Sequence, residues 1–435
     1  MRRPMLYFAV LLGAGVLVSE YASGAHILWV GVAAAALGWI LNRKRLWGGT
    51  AVGIAILALG WTRGDVARRK AADCIERIPV GYAVFYGRTL RSFKKHPFYW
   101  SSWVELDSAT TGGRTFSISG RALLKATSDC ARIAEGAHVR LAGRFKRVEW
   151  AVEHPGYLDY LRRNGVSHEI KAKSVHVLND ATIRAKFWKA RRYFAAPLER
   201  RIDDLRARAV ALALILGERS ELDAELRQAY ATGGAAHILA LSGAHLMILA
   251  LWVRRLTRFL TFLPGGRIAA VFATVGVLWF YALTTGAAPP VVRAAWTASL
   301  IAIAPLFYRR ADALNVLGAA FAVQIVFDPS ALYDWGFELS YAAVLGILML
   351  ASPASTLLPT QHRVVKAVWD LVVVSLAAQL FTLPFVLYYF GQFPVHFLWV
   401  NLAVFPLAAL IVPLGFALVL VGRVPWVSDV LATLV

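Results

Sequence analysis

Ten apolar stretches recur along this chain, near residues 5–19, 25–41, 46–61, 236–252, 268–285, 289–308, 313–327, 335–351, 366–389 and 396–421. Most approach the roughly 20 residues a helix needs to cross a bilayer, though the first and seventh are short. Inside hydrocarbon every backbone N–H and C=O must find a partner within the protein, so spanning segments of this kind are expected to be helices. The hydrophobic share of 58% lies well above soluble domains, which fall near 45–50%. The fold class expected is therefore a polytopic α-helical membrane protein of about ten transmembrane helices, with one exported small β-barrel (OB-like) domain. Residues 207–217 (ARAVALALILG) are too short to span and read as a re-entrant or interfacial helix.

Charge in the short loops orients the bundle. Arg2 and Arg3 precede the first stretch, and the next cationic loops hold Arg43, Lys44 and Arg45, then Arg254, Arg255, Arg258 and Arg267. Arg309 and Arg310 follow, then Arg363 and Lys366, whereas the alternate loops at 20–24, 284–288, 328–334 and 391–395 carry no Lys or Arg. Cytoplasmic loops concentrate Lys and Arg, so this alternation places both ends in the cytoplasm and residues 62–206 outside it. No small-residue cleavage site follows the first apolar run, which reads as a span rather than a signal peptide.

Residues 62–206 form the long polar insert, with 29 Lys+Arg against 15 Asp+Glu. Between about Val80 and Val148, short alternating runs such as YAVFYG, WVELDS, RTFSISG and HVRLAGRFKRVE are broken by turns, with Gly112-Gly113 at an expected hairpin. Several such strands predict a small barrel, for which the oligonucleotide/oligosaccharide-binding (OB) type is one candidate. Tyr82, Phe85, Tyr86, Phe93, Phe98, Tyr99, Trp100 and Trp103 are interleaved with cations. Cations beside stacking platforms hold single-stranded nucleic acid without sequence preference; the other reading is a barrel core with a basic face against anionic lipid. The cations expected to touch a strand are Arg88, Arg91, Lys94, Lys95, Arg144, Lys146 and Arg147. Cys74 and Cys130, the only cysteines, both fall in the insert. An oxidising compartment would let them pair, and the alternative is two reduced, buried thiols. Residues 183–206 read as a basic membrane-surface helix leading back to the bundle.

The stretch 236–249 (AHILALSGAHLMIL) places His237, Ser242 and His245 on a membrane-length apolar helix. Ionisable groups at that depth usually face a bundle interior or watery cavity. A polar pore wall is the reading taken here, beside helix–helix hydrogen bonding that Gly243 and Ala244 would permit. No close Cys, His or Asp completes a metal set, and no carboxylate orients a Ser242–His245 nucleophile pair. Arg293 lies just inside a span after Pro289-Pro290, placed either to hold passing phosphates or to pair with Glu338. Gln379 and Asn401 read mainly as interhelical hydrogen-bonding groups.

Residues 213–245, ALILGERSELDAELRQAYATGGAAHILALSGAH, resemble the ComEC family of competence proteins, with Gly217, Arg219, His237, Ser242, Gly243 and His245 at its motif positions. APPVVRAA at 288–295, GFELSYAAVLGIL at 336–348, SLAAQLFTLPFVLYYFGQFP at 375–394 and NLAVFPL at 401–407 are similar to its later helices. Upstream, HPGYLDYLRRNGV at 154–166 is similar to a segment that follows the family's OB domain. Ala244 stands where the family has Leu, Glu338 where it has Gln, and Pro290 where it has Ser.

The resemblance implies an inner-membrane channel through which transforming DNA enters as a single strand. The division expected is 1–61 N-terminal spans, 62–182 exported OB-like domain, 183–235 interfacial linker and 236–435 channel bundle. His237, Ser242, Gly243, His245, Arg293 and Glu338 would line the path. Many family members continue into a metal-dependent nuclease with a His-x-His-x-Asp-His cluster, which this sequence lacks. The expectation is accordingly no enzyme activity, no cofactor and no metal. The partners expected are single-stranded DNA, membrane lipids, a separate motor or helicase, a separate nuclease, and further copies of the chain. No phosphate-binding G-x-x-x-x-G-K-[ST] loop occurs, so the driving energy would come from elsewhere. The alternatives are a transporter of another polyanion or lipid-linked glycan, and a non-transporting scaffold.

Overall fold

The computed structural model describes residues 10, 81–96, 98–130, 132–148, 161, 166–232, 243–307, 312–391, 393 and 395–421. The three N-terminal stretches apart from Val10, Cys74, His237 and Ser242 lie outside these residues. Two compact units divide the described chain: one holds the sheet and Leu314–Asp334, the other begins at Phe187, runs to Ala313 and resumes at Trp335.

In the first unit, β1 (Gly81–Thr89), β2 (Lys94–Lys95), β3 (Trp100–Thr111), β4 (Arg114–Ala126), β5 (His138–Arg147) and β6 (Val166–Asn179) form one sheet. Its order is β1-β5-β6-β4-β3-β2, and β1 pairs with β3 as well. The five long strands thus close a ring of pairings, in which β4 and β6 run parallel and the other neighbours antiparallel. Alternation in the sequence explains the two faces: Phe85, Leu106, Leu124, Leu141, Phe145 and Ile170 point inward and are almost fully buried.

Gly112 and Gly113 make the predicted two-residue turn between β3 and β4, with φ of 55° and 77°. Gly87 and Gly143 each lie at a register shift, where a Cβ would strike the backbone of Glu105 and Lys171 respectively. Such bulges bend a strand and tighten its twist, as a sheet closing on itself requires. A smaller apolar cluster of Trp103, Leu123, Val148, Leu161 and Val166 packs beside the main core.

The second unit is helical. It contains α1 (Ile183–Arg201, from Phe187 on), α2 (Leu205–Leu216), α3 (Ala224–Thr232), α4 (Gly243–Leu256), α5 (Gly266–Thr284) and α6 (Pro289–Ile303). After α7 (Ala313–Phe327), which falls almost wholly in the first unit, come α8 (Trp335–Gly346), α9 (Arg363–Phe390) and α10 (Phe397–Val421). Among the described residues five helical segments are long and apolar enough to cross a membrane: Gly266–Thr284, Pro289–Leu306, Trp335–Ser355, Arg363–Phe390 and Phe397–Val419. They coincide with five of the ten stretches expected, while Ala313–Phe327 is apolar but shorter.

Helix α2 is buried along Ala209 and Ala211–Leu216 by position, capped by Asp204 at one end and by left-handed Gly217 at the other. Its 12 residues extend about 18 Å, short of a bilayer core. Tyr281 on α5 donates its hydroxyl to the Ile215 carbonyl at 2.8 Å. Gly415 on α10 lets Ile215 come so close that any Cβ there would overlap it. The reading of 207–217 as too short to span holds by length, and the helix serves as a buried brace for α5 and α10.

Pairs of long helices pack closely at small residues. Gly346 lies against the Ala377 carbonyl and Phe381 of α9, and directly after it α8 widens into a π turn at Ile347–Ala351. Pro384 in α9, and Pro406 and Pro413 in α10, are carried inside continuous helices.

Candidate functional site

Arg293 occupies the first half of α6, where Pro289 and Pro290 start the helix at positions that need no N–H donor. Its side chain is buried, 8% exposed, and its Nε donates to Ser340 Oγ on α8 at 2.6 Å. The guanidinium lies 5.8 Å from the ring centre of Tyr341. Gly243, the first residue of α4, faces the same group: a Cβ there would sit 3.0 Å from Nη2. Three helices thus meet at one cation, and neither terminal nitrogen has a hydrogen-bond acceptor among the described residues.

A buried charge is costly unless hydrogen bonds or a polar ligand answer it. The fork of Nη1 and Nη2 matches the two oxygens of a phosphate. His245, also buried, follows Gly243 on α4, and half-buried Glu338 precedes Ser340 in the first turn of α8. Of the six path residues expected, the structure brings Gly243 and Arg293 into contact and sets His245 and Glu338 on the helices that flank them; His237 and Ser242 lie outside the described residues. Ser340 and Tyr341 belong to this site and escape sequence reading, although GFELSY is there to be noticed.

A second polar group lies between α9 and α10. Asn401 Nδ2 donates to Ser375 Oγ at 3.4 Å, a long bond between two buried side chains. One turn beyond Ser375, the amide nitrogen of Gln379 is buried without a partner among the described residues. Asn401 thus joins two helices as expected, and Gln379 does not show such a bond.

The seven cations expected to hold a strand do not form one patch. The β1–β5 register sets Tyr82 opposite Arg144 and Arg88 opposite His138, so Arg88 and Arg144 lie about 20 Å apart along the strand. Arg88 is engaged by Glu105 at 2.7 Å, and Arg91 stacks 3.7 Å above the Trp103 ring. Lys94 and Lys95 form the short β2 against Ser101 and Trp100. Arg144 and Arg147 are exposed, with Lys146 half-buried. The aromatics divide as well: Phe85, Phe93 and Trp103 are core, whereas Tyr82 and Phe98 are exposed. Exposed Arg140, Lys171 and His176 escape the sequence reading, though the alternation of HVRLAGRFKR and KAKSVHV carries the signal.

The expected Cys74–Cys130 bridge is not formed here. Cys130 is a free, buried thiol that donates to the Ser128 carbonyl at 3.3 Å, turned into its own loop, and burial pushes its pKa up. Among the described residues no three His, Cys, Asp or Glu side chains gather as a metal site.

Comparison with known proteins adds a family. The model described as "Competence protein" matches residues 214–435, just over half of the chain. The chain belongs to the competence protein family. Gly243, Arg293, Ser340 and Tyr341 all fall within the matched region. The chain is also 30% identical over 197 residues to ComE operon protein 3 of Bacillus subtilis (strain 168), covering 45% of this chain and 24% of that one. It is 31% identical over 162 residues to an uncharacterized protein of Aquifex aeolicus (strain VF5), 37% of each. To the uncharacterized protein YcaI of Escherichia coli (strain K12) it is 29% identical over 240 residues, 53% of this chain and 31% of the other. The matches thus span well under half the length of these relatives. No solved structure matches. Membership of the family and the apolar helices together make this a membrane protein.

Proposed function

We propose that this chain carries single-stranded DNA across the cytoplasmic membrane during natural transformation. The observation that carries the reading is Arg293. A family-matched segment holds a buried guanidinium at the meeting of three apolar helices, oriented by Ser340 and given room by Gly243. A fixed, desolvated cation of this kind suits a ligand with one phosphate after another. Gly243, His245 and Glu338 would line the same path, together with His237 and Ser242.

The sheet is read as an OB-type barrel that receives the strand on the outer side. Its closed five-strand ring and small size support that reading, and the cationic surplus of 62–206 supports a polyanionic ligand. Both chain ends would be cytoplasmic and residues 62–206 extracytoplasmic, as the alternation of Lys and Arg in the short loops supports. The protein acts here as a conduit rather than an enzyme. A separate motor or helicase would pull the strand, a separate nuclease would remove its complement, and anionic lipids would flank α1.

Deleting the gene and following fluorescent DNA in live cells tests the reading. DNA that reaches the periplasm but never the cytoplasm is the expected result. Unchanged cytoplasmic entry would overturn it.

A further inference from the structure

The outer face of the sheet is chemically two-sided. Antiparallel partners share a face, so the registers set Tyr82 of β1, Arg144 of β5 and Lys171 of β6 side by side. Four residues along β1, the registers set Tyr86, Arg140 and His176 in a second row on the same face. Between the rows lie Val84, Ala142 and Ser174, whose short side chains leave a shallow floor. Inward Ala83, Phe85 and Gly87 alternate with these β1 positions and confirm that the rows point outward. Neighbouring strands are about 4.8 Å apart and four residues of strand span about 13 Å. Each row therefore offers an aromatic ring beside two nitrogen-bearing groups within about 10 Å.

The other side of the sheet differs. On β3 and β4 the exposed positions include Asp107, Ser117 and Ser119, with a single exposed cation, Arg114, and a single exposed ring, Phe116, close to the hairpin, and Glu105 holds Arg88 at 2.7 Å. The first face keeps its cations accessible to a ligand. Lys171 is 59% exposed, and buried Glu169 is the one carboxylate shared between Lys125 at 3.1 Å and Lys171 at 4.0 Å. Arg140 and Arg144 are exposed.

We infer that a single-stranded polynucleotide lies across β1, β5 and β6, its phosphates on Arg140, Arg144 and Lys171 and its bases against Tyr82 and Tyr86. The placement is specific: the strand does not run over β3–β4, the side that OB-type barrels commonly use for oligonucleotides. This inference rests on the reading of the chain as a DNA conduit. A tyrosine in each row selects a ligand with flat bases over a plain polyanion, since stacking needs a π-face and phosphate attraction does not.

The test uses the full chain in detergent, with a fluorescein-labelled oligothymidylate as probe and polyglutamate as the base-free polyanion. Arg140→Ala/Arg144→Ala/Lys171→Ala is expected to weaken oligonucleotide binding about 100-fold at low salt and to flatten the log–log salt slope by about 2. Tyr82→Ala should weaken oligonucleotide binding about ten-fold while leaving polyglutamate unchanged, and Tyr82→Phe should restore it. Arg114→Ala, in the β3–β4 hairpin, removes a cation elsewhere and should change little. Wild-type affinity in the triple variant, with a loss in Arg114→Ala, would overturn the placement while the conduit reading stands. Equal losses for oligonucleotide and polyglutamate in Tyr82→Ala would replace the polynucleotide by a general polyanion. A folded wild-type chain that binds no oligonucleotide would overturn both this inference and the conduit reading.

Discussion

Arg293 on α6 and Ser340 on α8 are joined by a 2.6 Å hydrogen bond from Nε to Oγ, which fixes the plane of a buried guanidinium and leaves its terminal fork pointing away from that bond. The orientation matters as much as the charge. A lysine at this place would keep the cation and lose the planar fork.

Replacing Arg293 by Ala should therefore cut entry of DNA into the cytoplasm about 10- to 100-fold, the range of one charge-assisted hydrogen-bonding group. Periplasmic accumulation of fluorescent DNA should persist. Arg293→Lys should recover only part of the entry, and full recovery would show that the fork is unimportant.

Gly243→Ala puts a methyl group 3.0 Å from Nη2 and 3.4 Å from the Ala294 Cβ. The guanidinium must shift, or α4 must move off α6. The expected outcome is a folded protein with entry reduced in the same direction as Arg293→Ala. Combining the two changes should add little, because both act on one cation.

Tyr281→Phe removes the buried hydroxyl that donates to the Ile215 carbonyl. The loss should lower stability by about 1–2 kcal/mol, since the carbonyl is then left without that donor. Thermal unfolding in detergent measures it, and unchanged stability would mean that α2 braces α5 through packing alone.

Gln379→Met replaces a buried amide nitrogen that has no partner among the described residues. Stability should stay the same or rise by about 1 kcal/mol, because an unanswered polar group is removed at similar volume. If DNA entry falls while stability rises, Gln379 acts on the transported ligand rather than between helices.

Glu105→Ala releases Arg88 from its 2.7 Å partner on a half-buried surface. The pair should contribute less than about 1 kcal/mol to stability. Oligonucleotide binding should rise modestly at low salt, since a negative charge leaves and a cation is freed.

Much of this architecture is legible in the sequence because it follows from periodicity. Bilayer-length apolar runs anticipate the five long helices, and alternation in YAVFYG and HVRLAGRFKRVE anticipates β1 and β5. Gly112-Gly113 announces its turn by the positive φ that glycine allows. Register is not legible in this way. The pairing of Arg88 with Glu105, and the distance from Arg88 to Arg144, depend on which strands become neighbours. The site around Arg293 shows the same limit: the cation is conspicuous in APPVVRAA, but its partner Ser340 is 47 residues away. The Cys74–Cys130 expectation rested on compartment and count, and neither says where a thiol points; Cys130 turns into its own loop.

The ring of β pairings has a consequence for life in a crowded membrane. Because β1 meets both β3 and β5, that seam is covered, and unpaired backbone falls instead on β4 at 114–120 and β6 at 173–179, beyond the reach of their mutual pairing. Sheets of neighbouring copies at high density would have to join at those two half-strands rather than anywhere round the ring.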